Sequence, residues 1–237
     1  MRRTSIVIAF LTLLLDVSLR AQEKPPLVPP KDGKAERIEL FNGKNFDGWE
    51  GHKELWSIRN GAIVGKNTKP VNVSTYLLTK QKFGDFHLAF STKLVESDKH
   101  TGVAFWGEKA PDRGDPNTYK GHVLVFPMDW ALTDQYGRMG LKADMSIAKK
   151  VGKPHDWNDF EIFAQGNRIR LVVNGVLAID WRDPEPSRIK EGPIGLQLHA
   201  NNAPQEVQFK GLVLTTFPDD KRLEGKKVGE KVPAMEK

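Results

Sequence analysis

The 237 residues, 39% of them hydrophobic, are enough for one globular domain with a sizeable core. The absence of cysteine excludes disulfides, thiolate metal sites, cysteine nucleophiles and a lipidated amino-terminal cysteine. The formal charge of +6 falls to +4 when residues 1–21 are set aside, leaving 33 basic against 29 acidic side chains. With no dense basic stripe interleaved with aromatics, nucleic acid is not an expected partner.

At the amino end Arg2 and Arg3 precede an apolar run over residues 5–15, followed by Leu19-Arg20-Ala21. This pattern reads as a secretory signal over 1–21 and predicts a secreted or periplasmic protein. The apolar run is about half of the roughly 20 residues a spanning helix needs, so no membrane span is expected. Residues 22–35 hold five charged residues and four prolines and read as a linker. The folded domain is expected over 36–217, and the charged, aperiodic segment 218–237 as a disordered tail.

Within the domain, short alternating or apolar runs recur between turn signals. The pattern predicts strands over 56–58, 62–64, 75–79, 86–93, 102–106, 122–126, 158–165, 168–174, 177–181, 194–199 and 207–214. Asn60-Gly61, Gln165-Gly166-Asn167 and Glu191-Gly192-Pro193 separate some of them. Asn174-Gly175 is the strongest hairpin signal, because a type I′ turn needs two residues at positive φ. No amphipathic helix of ordinary length competes, although 134–147 could hold a short helical turn. Many short strands around one core define an all-β fold: a jelly-roll β-sandwich of two antiparallel sheets.

Alternation then assigns faces. Phe160, Ile162, Ile169, Leu171 and Val173 should point inward, leaving Asp159, Glu161, Arg168 and Arg170 on a solvated outer face with cross-strand ion pairs. Trp49, Trp56 and Trp157 are expected to pack the sandwich or its rim, and the segment 40–49 to dock an edge strand. In Gly192-Pro193-Ile194-Gly195-Leu196-Gln197-Leu198-His199 the three aliphatic residues share one face. Gln197 and His199 share the other, an amide beside an imidazole on a sheet surface.

Several motifs occur in order: Leu40-Phe41-Asn42-Gly43-Lys44-Asn45-Phe46-Asp47-Gly48-Trp49, then Trp56-Ser57-Ile58-Arg59-Asn60-Gly61-Ala62-Ile63-Val64, Tyr76-Leu77-Leu78-Thr79, Phe83-Gly84-Asp85-Phe86, Trp157-Asn158, Asn174-Gly175 and the glycine-rich octapeptide. Over residues 36–217 this closely resembles the bacterial 3-keto-disaccharide hydrolase family. The resemblance implies a concanavalin A-like (laminin-G-like) jelly roll, export, and a carbohydrate or oxidised-sugar partner. It also implies cleavage of glycosides already oxidised to a ketone at C3. A C3 ketone acidifies the C2 proton, so a base can remove it and the C1 substituent leaves by β-elimination; hydration completes a net hydrolysis. Such a site needs a base, a polariser of the ketone oxygen and an acid for the leaving group. A divalent metal could serve as polariser.

Two departures bear on catalysis. Where the family often shows Asn-Ser-Gly followed by apolar residues and an arginine, this chain reads His100-Thr101-Gly102-Val103-Ala104-Phe105-Trp106. Where many members show Gly-Tyr-Glu, it reads Gly121-His122-Val123, without the acidic residue.

The residues expected at the site are His199, Glu108, Arg138 and Tyr136 for chemistry, and Gln197, His122 and Trp106 for substrate contact. Glu108 is the carboxylate nearest Trp106 and a candidate base or metal ligand. Tyr136 and Arg138 lie in a long insertion after Pro127, of a kind that is often functional. Trp106 is expected on the face of Gly102 and Ala104, with room for a sugar, and His122 at the start of a strand facing the same cleft. His100, in the loop Asp98-Lys99-His100, is the weakest of the histidines. No zinc, Walker, dinucleotide, serine-elbow or calcium-loop motif occurs. The rival to an enzyme is a non-catalytic, lectin-like carbohydrate-binding module, since this fold serves both. A surface protein that binds other proteins through its sheet is the third reading.

Overall fold

The structure is a computed structural model that describes residues 24–135, 137–141 and 143–235, with the backbone alone described for 138–141. In chain order the strands are β1 (Arg37–Glu39), β2 (Trp49–Glu50), β3 (Trp56–Arg59), β4 (Ala62–Asn67), β5 (Thr75–Phe83), β6 (Phe86–Glu96), β7 (Thr101–Lys109) and β8 (Tyr119–Phe126). They continue as β9 (Ala131–Asp134), β10 (Arg138–Leu141), β11 (Asn158–Gln165), β12 (Arg168–Val173), β13 (Val176–Arg182), β14 (Gly192–Leu198) and β15 (Gln205–Thr216). One short helix, α1 (Ser146–Val151), precedes β11.

Two antiparallel sheets face each other. The first runs β13-β12-β11-β6-β15-β4-β3, with β1 paired to β15; the second runs β10-β9-β8-β7-β14-β5-β2. This is the expected jelly-roll sandwich. All eleven predicted strands are present, and Asn174 and Gly175 both take positive φ, as a type I′ turn demands. The segment 134–147 differs from its expected helical turn: it forms the short strand β10, and α1 starts only at Ser146.

The core lies between the sheets. Phe90, Phe160, Phe209 and Phe126 stack across it, and Ile162, Leu171, Val173, Ile194, Leu196 and Leu198 are buried with them. Alternation thus placed the aliphatic side of β14 correctly. Trp49 and Trp56 are buried, whereas Trp157 is partly exposed and carries Lys210 Nζ 3.9 Å from its ring centroid.

The two flanking segments are more ordered than their composition suggests. Residues 24–35 form an extended strap: Val28 N donates to Asn167 Oδ1 at 2.8 Å, Lys31 N to Asp85 Oδ2 at 2.5 Å. The chain after residue 217 folds over the outer face of the first sheet. There Leu223 and Val232 close a small apolar cluster with Phe163, Val172 and Leu177. Arg222 forks onto Glu161 (2.7 and 3.1 Å), and Asp220 meets the buried Arg170 at 2.7 Å. The outer face expected to be solvated is therefore half covered, because Phe163 and Val172 point outward and require a partner. Among the described residues, no helix is long and apolar enough to cross a membrane.

Candidate functional site

On β14, between β7 and β5, Ile194, Leu196 and Leu198 point into the core and Gln197 points outward. The outer side of this sheet is not an open polar cleft. Tyr76, Leu78, Ala104, Tyr119, Val123 and Val125 form a second buried apolar cluster there, and Gln197 is only 4% exposed. Its Nε2 donates to Tyr76 Oη at 3.0 Å, and its Oε1 has no partner. Burial pushes the Tyr76 phenol up, and the Gln197 bond opposes this more weakly.

The cover is the β7–β8 hairpin itself. A bulge sets Trp106 and Gly107 against Gly121 alone, since Phe105 pairs with His122 and Glu108 with Lys120. Trp106 takes φ +53° and Gly121 φ +150°. Beyond this bend the hairpin folds back over the sheet. Tyr119 Oη donates to Pro193 O (3.2 Å), Tyr76 N to Asn117 O (3.0 Å), and the tip residue Asp115 meets His52 at 2.9 Å.

The bulge also corrects two expected contact residues. Trp106 does not follow Gly102 and Ala104 outward: the bend turns its ring into the core, where Nε1 donates to Gly84 O at 2.7 Å. His122 points inward as well, because Val123 and Val125 take the outer face. It is 1% exposed, packs on Phe105 and Trp106, and bonds Asp183 Oδ2 through Nε2 at 2.6 Å. This ties β8 of the second sheet to the end of β13 in the first. Both side chains are buried between the sheets instead of standing on the outer face.

The expected chemical set is dispersed. Glu108 is exposed and faces Lys190 at 3.5 Å, beyond the bulge and past the Gly192 end of β14. His199 lies just beyond the other end of β14. At about 3.3 Å per strand residue, roughly 20 Å separates the two ends of a seven-residue strand. Glu108 and His199 therefore cannot act on one sugar ring. The Arg138 backbone pairs with Asp134, which pairs with His122, so it belongs to the row of Phe105 rather than that of His199. Tyr136 lies outside the described residues.

What the topology gives His199 is His100. Both follow or precede paired strands, and their rings meet edge to face with centroids 4.3 Å apart. His199 Nδ1 is 2.6 Å from Ala200 O. A carbonyl only accepts, so Nδ1 carries the proton and Nε2 is left with a free lone pair. His100 Nδ1 lies 3.3 Å from the carboxylate of Asp129, which orients that ring in the same sense. Burial lowers the affinity of both imidazoles for protons; for His100 the neighbouring His199 adds to this, and Lys99 acts on both. Both rings therefore stay neutral below the usual histidine range. Each ring is thus left with one nitrogen that can accept a proton, and the nearby Lys99 pairs with Asp98 at 3.6 Å. Among the described residues no group of three or more His, Cys, Asp or Glu side chains could hold a metal ion.

His100 and Asp129 carry no motif. Only the antiparallel pairing of β7 with β14 brings His100 beside His199, and that pairing is not visible in the local sequence.

The fold places the chain in the broad class of jelly-roll β-sandwich domains. Within that class the chain belongs to the 3-keto-alpha-glucoside-1,2-lyase-like domain family, whose model matches residues 36–215. No curated protein matches the chain. Two structures of glycosyl hydrolase-like proteins from Parabacteroides distasonis share the fold. One has 19% identity and TM-score 0.56, covering 77% of this chain and 94% of its own. The other has 18% and 0.57, covering 77% and 100%. A galectin-like protein of unknown function from Bacillus subtilis superposes at TM-score 0.53 with 12% identity, covering 79% of this chain and 99% of its own.

Proposed function

We propose that this protein cleaves 3-keto-glycosides outside the cytoplasm by β-elimination, with His199 as the base. The observation that carries the reading is the bare Nε2 of a neutral imidazole, with its Nδ1 proton held by Ala200 O. His199 Nε2 takes the C2 proton, and the C2–H electron pair delocalises into the C3 ketone as an enolate. The enolate then re-forms the ketone as the C1 substituent leaves, giving an enone-like sugar. The proton on His199 passes to the departing oxygen. Addition of water to the double bond completes net hydrolysis. The Lys99 ammonium, whose charge both rings feel and which pairs with Asp98 at 3.6 Å, is the cation available to the enolate. The membership in a 1,2-lyase-like family supports this order of bond breaking, and the amino-terminal leader pattern supports export.

A second reading, a carbohydrate-binding module, is favoured by one observation: Val123 stands where many family members carry an acidic residue, inside an apolar cluster. Incubation with 3-keto-trehalose or a 3-keto-glucoside in D2O separates the two. The enzyme reading expects release of the C1 substituent and exchange at C2, and His199→Ala should lower kcat by about 10²–10⁴-fold, the usual contribution of a general base. Saturable binding without exchange or release would establish the module instead.

A further inference from the structure

Elimination occupies one base. His199 takes the C2 proton and passes it to the departing oxygen, so it ends that step neutral. The water that follows still has to lose a proton as it adds, and the site holds a second imidazole. His100 lies in the loop before β7, where the pairing of Thr101 with Phe126 sets it beside the turn joining β8 to β9. Asp129 stands in that turn. It follows Met128, whose φ of +78° is a conformation that residues other than glycine rarely hold and that the surrounding structure has to maintain.

An ionised carboxylate only accepts, so His100 Nδ1, 3.3 Å from Asp129, donates to it and Nε2 keeps its lone pair. That tautomer fits a base and not an acid. The rings cross at 75°, so the two bare lone pairs lie in different planes. The His100 side chain is 19% exposed, and neither ring contributes to the buried, unpartnered polar atoms of the described residues, so water reaches the bare nitrogen. What separates the two rings is the group behind Nδ1, a carbonyl for His199 and a carboxylate for His100. Burial and the neighbouring His199 favour the neutral ring of His100; Asp129 opposes them by hydrogen bond and by charge. A base backed in this way can hold the proton it takes from water.

We propose that His100, oriented by Asp129, is the base for the hydration half of the reaction, a role separate from that of His199. The assignment rests on the elimination reading above. As the water oxygen bonds to C1, one of its O–H bonds breaks and the proton goes to His100 Nε2. The C1=C2 electron pair moves into the C3 ketone as an enolate. The ketone re-forms as C2 takes the proton back from His100, leaving a free 3-keto sugar.

The full chain and its variants are given 3-keto-trehalose, and, separately, the isolated unsaturated ketone. Glucose release, the enone and the hydrated 3-keto sugar are each followed by NMR. The unaltered protein should release glucose and hydrate the enone. His100→Asn, which keeps a donor for Asp129 but no basic nitrogen, should accumulate the enone, with hydration slowed by about 100-fold, the lower end of what a general base contributes. Asp129→Asn should slow hydration more than release, and Asp129→Glu should recover most of the loss. Release with unslowed hydration in His100→Asn would overturn the assignment and leave His199 as the eliminating base. Release lost together with hydration in that variant would place His100 in the elimination and overturn it as well. Equal loss of both steps in Asp129→Asn, without recovery by Glu, would overturn the part given to Asp129. No release by the unaltered protein would overturn the elimination reading and this assignment with it.

Discussion

Gly192, the first residue of the octapeptide, does more than begin a strand. A Cβ placed on it would strike the backbone of Gly107, the glycine of the bulge, and a Cβ on Gly107 would strike the Lys120 carbonyl. The bend of the hairpin therefore depends on three glycine backbones in close approach. Gly192→Ala should reduce stability by about 1–3 kcal/mol in urea unfolding, as overpacked sites do. Gly114→Ala, at the hairpin tip with φ +83° and open space, should cost only about 1 kcal/mol. Equal effects would mean that the close packing at Gly192 is not what fixes the bend. Trp106 illustrates what sequence could and could not say at this scale. Alternation assigns it outward, and the neighbouring glycines are the known sign of a bulge. Which strand slips, and in which direction, is decided by the partner Gly121.

At the scale of elements, period-two alternation and Asn-Gly turns made the long strands legible, because their inner faces contact one continuous core. β1, β2, β9 and β10 escaped notice for the opposite reason: they are two to four residues long and lie at or near a sheet edge. The carboxy-terminal segment misled by composition. It has few apolar residues, but Leu223 and Val232 land on Phe163 and Val172, which already face outward. Burying two such aliphatic side chains contributes about 3 kcal/mol or more. A chain ending at residue 217 should accordingly lose about that much stability and bind a hydrophobic dye. An unchanged denaturation midpoint would show the segment to be a passive cover. The site was legible only in half: His199 stands out in its strand, whereas its partner is supplied by a neighbouring strand nearly one hundred positions earlier.

For the whole molecule, acid sensitivity should arrive in two stages. The folded-state pKa values of His100 and His199 are lowered, so between those values and the unfolded value of 6.5 the unfolded chain binds more protons. Stability should hold above that pH and decline as pH falls below it. Glu161, Asp180 and Glu206 are also lowered, the first by His87 and Arg222, the second by Arg168, the third by Gln208, Lys66 and Arg59, each against an opposing burial effect. Their contribution is present above their unfolded values near 4 and is lost below them. Thermal melts from pH 8 to pH 3 should show a first decline beginning near 6.5, absent in the double variant His100→Ala/His199→Ala, and a second near 4 that remains. A melting temperature flat down to pH 4.5 in the unaltered protein would contradict the first stage.

The strap of residues 24–35 gives the molecule a polarity. It is anchored at Asn167, Asp85 and Glu191, all at the end of the strands where Gly192 begins β14. The imidazole pair occupies the other end, a strand's length away. The described chain therefore begins near one pole while the imidazole pair sits at the opposite one. A change within residues 24–35 acts on the far end of the strands and should leave the surroundings of His100 and His199 as they are.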